Sequence, residues 1–246
     1  MSDAISASSG AFPDTHRSTV DAIRSGDPDV RRVAFDALAR SYWKPVYKYL
    51  RLRWHRDSQD AQDLTQEFFA RAYQKEMLEQ YDRDRGRFRT FLRICVDHLA
   101  QNEHTAAMRI KRGGSVAIRP WDLVEIEQEL SGMAGSREED PDAVFHREWL
   151  RSLFDTAIRR ARVECERQGK QTAFDVFERY DLLAPNQGES LTYAQLADEF
   201  GVPITQVTNY LAFVRRRVRH HVLAVLRETT TNDAEFAVEV REVLGA

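Results

Sequence analysis

Between residues 60 and 112 the chain changes from the acidic, amphipathic segment DAQDLTQEFFARAY to the basic, aromatic segment RDRGRFRTFLRICVDHLAQNE. In the first segment Asp60, Asp63 and Glu67 fall at i, i+3 and i+7 and share one helix face with Gln66 and Arg71 beside them, while Ala61, Leu64 and Phe68 face inward. Such a carboxylate face can pair with basic groups on a partner protein, which supplies steering and register more than raw affinity. With His98 or His104 it could instead hold a metal ion. No second ligand-type motif accompanies it, and no P-loop, GxSxG or HExxH occurs, so no metal, no cofactor and no catalytic residue is expected.

The second segment carries Arg85, Arg87, Arg89 and Arg93, cations suited to nucleic-acid phosphates, with Tyr81, Phe88 and Phe91 among them. A base stacked on an aromatic side chain gains about 1–3 kcal/mol, which helps offset unpairing. Phe88 and Phe91, at i and i+3, are equally suited to closing a helical core, and Phe91 is assigned there. The first segment is thus read as a protein-gripping face and the second as a nucleic-acid-holding face.

The elements that must position these groups are helical. Apolar spacing from residue 28 to 54, with Pro45 placed to start a helix, predicts two helices in sequence. Asp57, Ser58 and Asp60 offer N-cap chemistry for a third helix ending near residue 79, and a turn at 83–86 precedes a fourth over 88–110. From 115 to 142 the chain reads as irregular, with eight carboxylates (Asp122, Glu125, Glu127, Glu129, Glu138, Glu139, Asp140 and Asp142) opposed by Arg119 and Arg137. This predicts a flexible acidic linker. Helical periodicity returns at Phe145, Trp149, Leu153, Ala157 and Ala161, and again over 173–183.

The strongest supersecondary signal is LTYAQLADEFGVPITQVTNYLAFVRRRVRHHV. Thr192 and Gln195 form a capping-box pattern, Gly201 supplies a tight turn, and Val207, Leu211 and Val214 give the second helix its apolar face, so a helix-turn-helix is predicted. Arg215, Arg216, Arg217, Arg219 and Arg227 add charge unopposed by any acidic residue from 203 to 227, which favours DNA over a purely structural hairpin.

Composition agrees with an all-α protein. At 246 residues the chain can form two small domains, and 30% charged against 42% hydrophobic residues with only 11 Gly and 7 Pro suits packed helices. The N-terminus lacks the features of a secretion signal and no apolar run reaches a membrane span, so a cytoplasmic protein without membrane contact is expected. Cys95 and Cys165 lack ligand spacing and read as buried thiols.

DAQDLTQEFFARAY resembles conserved region two of bacterial RNA polymerase sigma factors of the sigma-70 family, and LTYAQLADEFGVP with its following helix resembles their region four. Their order and spacing resemble the small extracytoplasmic-function (ECF) type. The resemblance implies an alternative sigma factor that binds core RNA polymerase and directs promoter recognition, DNA melting and transcription initiation. By the resemblance, Asp60, Asp63, Gln66, Glu67 and Arg71 contact the polymerase. Arg85, Arg87, Phe88, Arg89 and Arg93 hold minus-ten DNA, Asp97, His98, Gln101, Asn102 and His104 sit where bases are read, and Arg109, Lys111 and Arg112 bind backbone. Thr205, Gln206, Thr208 and Asn209, with Arg215, Arg216, Arg217 and Arg219, are implied at the minus-thirty-five element. Here the chain departs from the family, which carries basic residues in those first turns; uncharged groups read base edges but neutralise no phosphates.

The expected organisation is a disordered tail (1–17), a region-two-like domain (18–112), the acidic linker (113–143), a region-four-like domain (144–228) and a C-terminal extension (229–246). Partners implied are core polymerase, promoter DNA and an anti-sigma factor or other regulator. The alternative is a helix-turn-helix transcriptional regulator that oligomerises through its N-terminal half and does not act as a sigma factor.

Overall fold

A computed structural model describes residues 22–23, 27–74, 76–82, 86–106, 123–133, 140–230 and 232–245. The described residues are helical, without a strand. In chain order the elements are α1 (Pro28–Arg53), α2 (Ser58–Tyr73), α3 (Glu76–Glu79), α4 (Phe88–Ala106), α5 (Leu123–Met133), α6 (Pro141–Arg167) and α7 (Gln171–Phe177). A π-helical turn (Glu178–Leu183) leads into α8 (Ala184–Asn186), α9 (Tyr193–Phe200), α10 (Ile204–Thr229) and α11 (Asp233–Leu244).

The Asp27 side chain starts α1 by accepting from the amides of Asp29 (2.9 Å) and Val30 (3.3 Å), and Pro28 follows at the position where its missing N–H costs nothing. The two helices expected across 28–54 are one helix: α1 runs through Pro45. An interior proline costs about 3 kcal/mol in lost hydrogen bonding and ring contact. Tyr42, Trp43, Val46, Tyr47, Tyr49 and Leu50 surround it, all buried, and each large apolar side chain returns about 1.5–3 kcal/mol. Tertiary packing outweighs the local break.

The expected irregular linker is also corrected in part, because α5 lies within it. Ile126 and Leu130, at i and i+4, are buried, and the carboxylates beside them meet cations of α1. Lys44 donates to Glu129 (3.0 Å), Lys48 to Glu129 (2.5 Å), and Arg51 to Glu127 through Nε (2.9 Å) and Nη2 (2.8 Å). Tyr47 donates to Glu127 at 2.5 Å, and burial followed by that bond pushes its phenol up to about 12. Arg51 holds the Glu127 carboxyl below the usual range; for Glu129, the lysines overcome burial and lower it too. Under this helix Lys48 and Glu148 of α6 pair at 3.1 Å, both fully buried.

Two apolar cores result. The larger joins α1 to α6, takes in Val222, Val225 and Leu226 of α10, and is flanked by Phe236, Val240, Val243 and Leu244 of α11. The smaller gathers Ala161 and Cys165 of α6, Ala173, Phe174, Val176 and Phe177 of α7, Leu196 and Ala197 of α9, and Val207, Leu211 and Val214 of α10. Both α6 and α10 therefore run through the two cores, and the larger core crosses residues 113–143, where the sequence pattern separates its two domains.

Candidate nucleic-acid and protein interface

The acidic face is set by α2. Asp57 caps it by accepting from the Asp60 amide at 2.8 Å, and Ala61, Leu64, Thr65, Phe68, Phe69 and Ala72 turn into the core. The opposite face leaves Asp60, Asp63 and Arg71 exposed, with Gln66 and Glu67 half-buried. Arg71 donates to Glu67 one turn earlier, and Gln59 donates to Asp63 at 3.1 Å. All five expected contact residues thus lie along one side of one helix.

The basic segment differs from its expectation in several places. Phe88, which the sequence leaves open between base stacking and the core and the resemblance places at minus-ten DNA, has its ring fully buried among Tyr42, Tyr81 and Phe91; it closes the core, because helical phase at the start of α4 directs position 88 inward. The guanidinium groups face protein carboxylates. Arg87 donates to Glu242 at 2.8 Å; Arg89 reaches Glu239 at 3.3 Å and Glu242 at 3.5 Å and lies over the Trp149 ring at 4.3 Å. Arg93 donates to both oxygens of Asp142 at 2.8 Å. Asp97 accepts from Tyr49 (3.0 and 3.1 Å) and Trp54 (2.9 Å), tying α4 to α1 and the turn that follows it.

His98, Gln101 and Asn102 are exposed together on the far part of α4. A cleft of about 220 Å³ joins that surface to α2, lined among others by Arg71, Met77, Cys95, His98 and Asn102. Burial pushes the Cys95 thiol up to about 11, so it is an inert wall. Arg85, Arg109, Lys111, Arg112 and the His104 side chain lie outside the described residues.

The helix-turn-helix has the geometry its sequence predicts. Gln195 N donates to Thr192 Oγ1 (3.3 Å), Thr192 N donates to Gln195 Oε1 (2.8 Å), and Gly201 takes the left-handed conformation at φ 64°. Thr205, Gln206, Thr208 and Asn209 are exposed at the start of α10. Gln206 donates to the Tyr210 hydroxyl at 2.7 Å.

The arginines behind this edge fall into two classes. Arg215 makes a bidentate pair with Asp181 (2.7 and 2.8 Å), which holds its guanidinium pKa above the ordinary value, and Arg217 lies 3.3 Å from Glu164. Arg216 and Arg219 project into solvent. Arg216→Ala with Arg219→Ala is therefore expected to weaken duplex binding and flatten its salt dependence by about 1.8, two contacts at roughly 0.9 each. Equilibrium titration at several salt concentrations measures both, and an unchanged slope would remove these residues from the interface.

Among the described residues no group of three or more His, Cys, Asp and Glu side chains is arranged to hold a metal ion. No described helix is long and apolar enough to cross a membrane. Residues 38–110, from within α1 to just beyond α4, match the family model Sigma-70 region 2. That match supports a region-two identity for this part of the chain. No curated protein matches the chain, and no solved structure does.

Proposed function

We propose that the chain is an alternative sigma factor of the sigma-70 family, of the ECF type, that binds core RNA polymerase and directs promoter recognition, DNA melting and transcription initiation. The observation that carries this reading is the region-two match over 38–110, where an exposed acidic helix face adjoins the α4 surface. Residues 18–112 would serve polymerase and minus-ten binding, and 144–228 the minus-thirty-five element through Thr205, Gln206, Thr208 and Asn209. Melting would be driven by contacts that bases make only once they leave the duplex. The protein would act in the cytoplasm, where an anti-sigma factor or other regulator could reach it.

The decisive experiment is run-off transcription from genomic promoter fragments with core polymerase and this chain as sole specificity factor. Specific transcripts are expected, and their absence alongside failed co-purification with core enzyme would sink the reading. Reversing the α2 face by Asp60→Arg with Asp63→Arg should weaken core binding at least tenfold, about 1.4 kcal/mol, with little effect on folding. Calorimetric titration with core polymerase measures it, and unchanged affinity would move the docking surface elsewhere.

One observation favours the second reading, a helix-turn-helix regulator that never supports initiation. Arg87, Arg89 and Arg93, the phosphate-suited cations of α4, are engaged by carboxylates, whereas Thr205, Gln206, Thr208 and Asn209 at the start of α10 are exposed with Arg216 and Arg219 behind them. Promoter binding without run-off product would establish that alternative.

A further inference from the structure

The basic end of α4 is covered by one short helix, α11, with three carboxylates on one side. Glu235, Glu239 and Glu242 stand at i, i+4 and i+7 and so share a face. Glu235 meets the start of α4, and Glu239 and Glu242 share the two arginines beside it, in the site expected to hold DNA. Glu235 Oε1 accepts from the Phe88 amide at 2.8 Å, at the first residue of α4, where a helix presents unsatisfied N–H groups and positive dipole to an anion. Glu239 faces Arg89 at 3.3 Å and Arg87 at 3.8 Å, and Glu242 binds Arg87 at 2.8 Å and Arg89 at 3.5 Å. A helix N-terminus flanked by two guanidinium groups is a set of donors that a nucleic-acid backbone also satisfies.

The way α11 is held differs from that of the helices around it. Its apolar side chains Phe236, Val240, Val243 and Leu244 are only partly buried on the larger core, and its one fully buried side chain, Glu239, is an acid. Burial pushes the Glu239 carboxyl above the usual carboxylate range despite Arg89 and Arg87, so this contact carries an opposing desolvation cost. At its start, Asn232 caps α11 by accepting from the Glu235 amide at 2.8 Å. Arg227 of α10 pairs with Asp233 at 2.6 Å and lies 4.2 Å from the Phe236 ring, fixing the path of the chain onto α4.

We infer that α11 is an intramolecular mask, its Glu235, Glu239 and Glu242 standing in for nucleic-acid phosphates at the α4 N-terminus, and that it must leave before single-stranded DNA can bind there. The inference rests on the reading of α4 as a DNA-holding segment. A ligand that binds only the open form has its apparent affinity reduced by the open fraction, so weakening the mask raises affinity without adding a contact.

The test uses the full chain, a Glu235→Gln/Glu239→Gln/Glu242→Gln variant of nearly unchanged shape, and a chain ending at Thr230. Binding of a labelled single-stranded oligonucleotide is followed by fluorescence anisotropy over a range of salt. The triple variant and the shortened chain are expected to bind at least tenfold tighter than the full chain. The salt slope should steepen by about 1.4, two contacts at roughly 0.7 each on a single strand. Adding Arg87→Ala and Arg89→Ala to the triple variant should abolish the gain.

Equal binding by all unmasked forms and the full chain, with each still weakened by Arg87→Ala/Arg89→Ala, overturns the mask while α4 remains a DNA site. A gain that survives loss of both arginines also overturns it, as does no binding by any form. Run-off transcription performed in parallel reports on the sigma-factor reading separately.

Discussion

Lys48→Met is expected to lower the unfolding free energy by about 3–5 kcal/mol, because it leaves the Glu148 carboxylate buried without its closest unexposed partner. Lys48 and Glu148 are each 0% exposed and 3.1 Å apart; of the other cations at Glu148, Arg151 is itself 54% exposed and Lys44 stands farther off, at 3.8 Å. For a domain of this size each kcal/mol moves the midpoint by about 2–4 °C, so a thermal melt should fall by roughly 10 °C. Lys48 also binds Glu129, so α5 should become more susceptible to proteolysis in the same variant. Lys48→Met with Glu148→Leu removes both ions and should recover much of the loss, since a buried pair exchanged for apolar groups of similar volume is often neutral. A melt at the native temperature for the single variant would mean that the pair is hydrated.

The second large effect separates two roles for one ring. Phe88→Ala should cost about 3–5 kcal/mol in a denaturant titration, the usual penalty for deleting a buried aromatic side chain. Phe88→Leu keeps most of the apolar volume, so it should fold with a smaller penalty and bind single-stranded DNA as the native chain does. A stacking role predicts the opposite: leucine would sacrifice about 1–3 kcal/mol of binding while stability changed little. Measuring stability and DNA affinity on the leucine variant decides between them.

The parts of the fold that local chemistry specifies were legible in the sequence. Thr192 and Gln195 close their capping box within one turn, Gly201 answers a turn that needs positive φ, and the inward face of Ala61, Leu64 and Phe68 follows from helical phase. What could not be read locally depends on partners distant along the chain. The acidic stretch around Glu127 and Glu129 has the composition of a tether until Lys44, Lys48 and Arg51 are brought against it from α1. Pro45 reads as a helix start because the rings that bury α1's own aromatics, Phe88 against Tyr42 and Phe145 against Tyr42 and Tyr49, lie far away in sequence. The same holds for the candidate site. Arg87, Arg89 and Arg93 were identifiable as cations suited to phosphate, but Glu239, Glu242 and Asp142 lie far away in sequence, and no periodicity links them.

Because α10 threads both cores, it also acts as a ruler. Its 26 residues span about 39 Å at 1.5 Å per residue, with Thr205 and Gln206 near one end and Val225 and Leu226 anchored in the larger core near the other. For the function proposed above, the separation between the two DNA-reading surfaces is then a property of two helices packed side by side, α10 and α6, and not of a slack tether. A single inserted residue between Arg219 and Val222 would put the two ends of α10 about 100° out of phase, and a full turn about 5.4 Å out of step, with the α6 face on which both pack. Promoter spacing would be tolerated only as far as the DNA itself twists and bends to meet this rod.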